Sequence, residues 1–94
     1  MRGDRTEEAI EIDLYGTAVP VPRDVVSALA AAAAARAGIS ARHRDLSLLL
    51  GRALENGRRV VLGRGEVRAL CAVIEEEHPD RFGPAAAELL RAAA

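Results

Sequence analysis

From residue 10 the chain alternates: Ile10, Ile12 and Leu14 fall on one face of an extended segment while Glu11 and Asp13 fall on the other. That period of two predicts a half-buried strand. Tyr15-Gly16 can turn the chain into a second short strand carrying Val19 and Val21. Pro20 assigns that strand to a sheet edge, because proline has no N–H to give to a ladder. The period then lengthens. Pro22 suits the first turn of a helix, and Arg23 to Ala37 run as helix formers until Gly38, with Val26, Leu29, Ala30, Ala33 and Ala37 as the apolar stripe. The unbroken Ala30 to Ala35 run would let a neighbouring helix approach closely, although high helix propensity alone also accounts for it. Ser40 is a reasonable N-cap for a second helix, with Asp45 and Ser47 as other candidate caps. That helix carries Leu46, Leu49, Leu50, Ala53 and Leu54 before Asn56-Gly57 closes it. Arg58 to Leu62 reads as a strand, Gly63-Arg64-Gly65 as a turn, and a third helix from about Glu66 to His78 spaces Val67, Leu70, Cys71 and Ile74. Pro79 stops it, and Pro84 opens a short last helix through Leu89 and Leu90.

Part of this pattern occurs twice. Gly16 to Leu29 lines up with Gly57 to Leu70 at a shift of 41 residues, with identity at Gly16, Val19, Arg23, Val26, Ala28 and Leu29. The same shift sets Leu48 and Leu49 over Leu89 and Leu90. The element order predicts a mostly helical α+β fold, built as two strand-helix-helix units over residues 9–56 and 57–94. Their equivalent strands would pair in a small antiparallel sheet, with four helices over one side. Residues 1–8 are charged and lack apolar period, so they are expected to form a flexible N-terminus to this single small domain.

Composition narrows the function classes. At 94 residues the chain has little room for a deep substrate cleft. Its core must be aliphatic, since there is one Phe, one Tyr and no Trp beside many Ala and Leu. All 13 basic residues are Arg, a bias read as high-GC bacterial coding rather than Arg chemistry. The net charge of −1 is segregated: residues 16–68 are basic, while residues 1–15 and 69–94 are acidic. A basic middle suits an anionic partner, and equally suits internal complementarity or self-association. The single Cys71 rules out an intrachain disulfide and, with no apolar leader at the N-terminus, points to the cytoplasm.

No catalytic, cofactor or metal signature emerges. His43-Arg44-Asp45-Leu46 repeats the opening of the protein-kinase catalytic loop, but Leu50 stands where that loop needs Asn, and no Gly-rich loop accompanies it. Glu75, Glu76, Glu77, His78 and Asp80 gather near a helix end, yet successive helical side chains diverge by about 100°, so at most two or three could meet one ion. A solvated face, or a patch for a basic partner made of Glu75, Glu76, Glu77 and Asp80, is the preferred reading over a metal site. Cys71 lies on an apolar stripe, as a buried inert thiol would.

Residues 17–56 carry a short strand, Pro22-Arg23-Asp24 at a helix entry, Gly38-Ile39-Ser40 at a turn, and a second helix with Leu and Ala at core spacing. In this they resemble the ribbon-helix-helix family. The resemblance implies a dimer whose paired strands enter the major groove of DNA and read base edges with outward polar side chains. Neither face of Thr17–Val21 carries the Arg, Lys, Asn or Gln that such readout uses. Arg42, Arg44, Arg58, Arg59 and Arg64 are the candidate contacts to nucleic acid or another anionic partner. The leading expectation is a non-enzymatic protein-interaction or regulatory module, a homodimer or small subunit without cofactor, small-molecule substrate or membrane. The alternative is a DNA-binding regulator or antitoxin of the ribbon-helix-helix type.

Overall fold

A computed structural model describes residues 9–57, 59–77 and 79–94. Strands β1 (Ala9–Leu14) and β2 (Thr17–Pro22) form a hairpin, followed by helices α1 (Arg23–Ala35) and α2 (Ala41–Asn56). Strand β3 (Arg59–Leu62), helix α3 (Arg64–Glu76), a 3-10 turn over Pro79–Phe82 and helix α4 (Pro84–Ala93) complete the order. The fold is therefore α+β with a small sheet.

The strand order is β2-β1-β3. β1 pairs antiparallel with β2, setting Ile10 opposite Val21 and Ile12 opposite Val19. It pairs parallel with β3, setting Ile12 opposite Val60 and Leu14 opposite Leu62. The sheet is thus mixed, which corrects the expected antiparallel one. The strands of the echoed segments, β2 and β3, do not pair with each other, because β1 lies between them. β1 can take the centre because, unlike β2, it has no proline and offers a ladder on both edges, and unlike β3 it carries three fully buried large side chains.

The period of two holds throughout the sheet. Ile10, Ile12, Leu14, Val19, Val21, Val60 and Leu62 face the helices and are buried, while Glu11, Ala18, Pro20, Arg59 and Val61 face away and are exposed. Helices cover only the apolar face. Val26, Leu29 and Ala33 of α1, Leu46, Leu50 and Ala53 of α2, and Val67, Leu70, Val73 and Ile74 of α3 complete one core, closed by Phe82, Ala86 and Leu89. Burying each Val, Leu, Ile or Phe side chain of this core is worth about 1.5–3 kcal/mol, and each Ala less.

Local chemistry sets the boundaries. The hairpin turns on Tyr15 (φ 55) and Gly16 (φ 92), a two-residue loop with both residues at positive φ, as the twist of flanking strands favours. Asp13 Oδ1 accepts from the Gly16 N–H at 2.9 Å and braces that turn. α1 stops at Ala35, two residues before the expected Ala37, because its last turn tightens: the N–H groups of Arg36 and Ala37 donate to Ala33 and Ala34. Ser40 caps α2, its hydroxyl accepting from the His43 N–H at 3.5 Å. Arg64 and Gly65, expected in a turn, are already helical. Gly63 takes the N-cap position, and Glu66 reaches back to accept its N–H at 2.9 Å. α3 ends at Glu76, short of His78, which lies outside the described residues. The expected flexible segment 1–8 lies outside them too.

Candidate functional site

The two edges of the sheet are unequal. At the β2 edge, Pro20 and Pro22 supply no donors and an added strand would find little to pair with. β3 has no proline, pairs only with β1 among the described residues, and runs beside α2. Between them lies a trough in two joined parts. One, of about 340 Å³, is lined by Asp45, Leu48, Leu49, Arg52 and Glu66. The other, of about 280 Å³, is lined by Leu49, Arg52, Ala53, Gly57, Arg59, Val60 and Val61. Leu49 and Arg52 belong to both, so the trough runs from the first turn of α3 along α2 to the β3 edge. Leu48, 60% exposed, lines one part and Val61, 64% exposed, the other. Large aliphatic side chains left this open beside a strand edge lose the solvation benefit of burial that the rest of the core gains.

This surface rests on a fixed support. Asp13, buried on the outer face of the sheet, accepts from Arg59 Nη2 at 2.8 Å across the β1–β3 pair. The hydrogen bond from Arg59 is the main cause holding the Asp13 carboxyl below its ordinary pKa; burial opposes it and the Gly16 N–H adds to it. Arg59 is held correspondingly more basic, chiefly by the bond to Asp13. The guanidinium thus pins β3 to β1 from the solvent side. Arg23 anchors the far end of α2, donating to the Leu54 carbonyl in its last turn.

The candidates named from the sequence scatter. Arg42 lies over Gly65, its Cδ and Nε each 3.5 Å from where a Cβ would sit, so this Arg packs on the start of α3. Arg44 and Arg64 are exposed at the same end of the molecule's α2–α3 pair, whereas Arg59 is committed to Asp13. Arg58 lies outside the described residues. Of the acidic cluster, Glu76 and Glu77 are taken internally. Arg36, at the end of α1, donates to Glu76 at 2.8 Å and Glu77 at 3.0 Å, and Arg81 bonds Glu77 at 2.8 Å. Arg36 is held more basic by Glu77 first, against burial, and then by Glu76. Glu75 and Asp80 are exposed, and Asp80 joins Asp24 and Glu88 around a separate groove of about 600 Å³ beside β2.

No family model, curated protein or solved structure matches the chain. Among the described residues no group of three His, Cys, Asp or Glu side chains is placed to hold a metal ion. No helix there is long and apolar enough to cross a membrane. Cys71 is half-buried, and burial first, then Glu75, raises the pKa of its thiol, which suits an inert side chain. The ring nitrogens of His43 are buried with no hydrogen-bond partner among the described residues. Leu48, Arg52 and Val61 were not singled out by sequence reasoning. One signal was available: in the run Leu48-Leu49-Leu50 successive side chains point about 100° apart, so one of the three must leave the core face.

Proposed function

We propose that this chain is a non-enzymatic interaction module, acting as a homodimer or small subunit, and that it works through the trough between α2 and β3. The observation that carries this reading is the pairing of two exposed aliphatic side chains, Leu48 and Val61, with a strand edge that pairs with no further strand among the described residues. A polypeptide laid in the trough covers the first and can hydrogen-bond to the second. Arg59, held by Asp13, keeps β3 extended whether or not the edge is occupied.

A photoreactive phenylalanine placed at Leu48 or at Val61 in living cells tests it, with Ala34 on the exposed side of α1 as control. Discrete polypeptide adducts at the first two positions and none at the third are expected. No adduct at either, or equal labelling at all three, would sink the reading. The ribbon-helix-helix alternative has Arg42, Arg44 and Arg64 at one end of α2–α3 in its favour, but the outward β2 residues Ala18, Pro20 and Pro22 offer a base edge nothing to bond. Retention on duplex DNA at about 50 mM salt, lost when these Arg are replaced, would transfer the argument to that alternative.

A further inference from the structure

Resting on the interaction reading, we propose that the occupant of the α2 wall of the trough is a second copy of this chain, packed α2 against α2, antiparallel, about a twofold axis between Leu48 and Leu49, a contact that uses Leu48 and leaves the β3 edge for strand pairing.

The argument is the charge order on one side of the helix. Arg42, Asp45, Leu48, Leu49, Arg52 and Glu55 fall within an arc of about 140° at 3.6 residues per turn, turned away from the buried stripe of Leu46, Leu50 and Ala53. All are exposed except Leu49, which is half-buried and lines both parts of the trough. Read along α2 the order is plus, minus, Leu, Leu, plus, minus. Turned about the axis between the two leucines, the same order presents minus to plus at every position. Arg42 meets Glu55 of the second copy, Asp45 meets Arg52 of the second copy, and Leu48 meets Leu49 of the second copy. The set spans about 20 Å of helix at 1.5 Å per residue, and the operation is its own inverse, as an isologous dimer requires. Parallel in-register packing opposes like with like at all four charged positions, so the pattern selects the antiparallel arrangement. Among the described residues none of the four charges makes an ion pair within the chain, whereas Arg36, Arg59 and Arg81 all do. The apolar centre supplies the attraction, since Leu48 is otherwise 60% exposed. The four surrounding charges set register and direction.

Charge-swap variants followed by sedimentation equilibrium from micromolar to millimolar protein test this. The parent chain should associate to a dimer that weakens as salt rises. Asp45→Arg alone and Arg52→Asp alone, both at exposed positions where folding is checked by circular dichroism, should each weaken the homodimer by about tenfold or more. Mixing the two single variants makes both cross-pairs Arg with Asp and should give a heterodimer tighter than either homodimer. The double swap in one chain should restore the homodimer. Equal dimerisation by all variants would overturn the α2 register. A parent chain that stays monomeric to millimolar concentration would overturn self-pairing. In that event polypeptide adducts from Leu48 would leave the interaction reading standing with a different partner, and their absence would remove both.

Discussion

Replacing Gly83 by L-alanine should destabilise the protein through the backbone alone. Gly83 joins the 3-10 turn to α4 with φ 75 and ψ −164, a conformation that residues with a Cβ almost never adopt. A Cβ built there meets nothing within 4 Å, so no clash contributes. The residue cannot relax to negative φ without cost. Its N–H donates to the Asp80 carbonyl and its own carbonyl accepts from the Ala86 N–H, and these bonds join the elements that bring Phe82 and Leu89 into the core. The loss should therefore equal the intrinsic strain, about 2 kcal/mol within a range of roughly 1–3. A domain of this length has roughly 5–14 kcal/mol in total. The midpoint of thermal unfolding should fall by about 10 °C, at roughly 4–8 °C per kcal/mol.

Two comparisons isolate the cause. Gly38 also has open space around its Cβ but no positive φ, so Gly38→Ala should leave stability unchanged or raise it by about 0.4–1 kcal/mol. The mirror image of the Gly83 conformation lies in the ordinary extended region, so D-alanine at position 83 should fit without strain and stabilise by restricting the unfolded chain. Chemical ligation at the Leu70–Cys71 junction gives access to that protein. Urea melts of all four chains decide the matter. Equal losses for L- and D-alanine at Gly83 would refute the backbone argument and point to side-chain crowding.

Asp13→Asn should show its cost above acid pH only. Because the folded-state pKa of Asp13 lies below its ordinary 3.8, its contribution is present above that value and is lost as pH falls through the folded one. The stability difference between parent and variant in urea melts should be constant from pH 7 to about 5 and shrink below about 4; a gap that does not change with pH would refute the pairing with Arg59. His43→Leu should stabilise by about 1 kcal/mol, because it removes two buried ring nitrogens without partners and retains the backbone N–H that Ser40 caps. A loss on calorimetry would show that the ring makes contacts worth more than its desolvation costs.

What the sequence made legible was local. Alternation at residues 10–14, the helix after Pro22, the cap at Ser40 and the helix after Pro84 each follow from chemistry within one turn or one strand. The central place of β1 was not legible in this way, because it depends on pairing Ile12 with Val60 and Leu14 with Leu62 across more than forty residues. The echo between residues 16–29 and 57–70 encouraged pairing of the two echoed strands, and the sheet sets β1 between them. The partner of Glu76 and Glu77 was not legible for a similar reason: it is Arg36, at the end of another helix. Of the candidate surface, Leu48 had a signal in its Leu run. Val61 had none, since Val60 and Val61 are equivalent until the register with β1 assigns one to each face.

The register also decides what Arg59 is for. A strand of four residues with one free edge is a weak element, and β3 is fixed on its core side only by Val60 and Leu62. Arg59 sits on the opposite face, exposed yet tied at 2.8 Å to a carboxylate that is itself buried and bound to the hairpin turn. An anionic ligand that drew Arg59 Nη2 away would leave Asp13 buried without its cation, so only the remaining N–H donors of Arg59 are open to one. The arrangement instead favours Arg59 as the strut that holds the β3 edge extended and ready to pair. On α2, Arg52 lines the trough beside Asp45, and exposed Arg42 and Glu55 continue the alternation of charge at either end of the helix. Under the self-pairing proposed above, that alternation matches a second copy of α2, whereas a uniformly charged polymer would meet like charge at half of the positions.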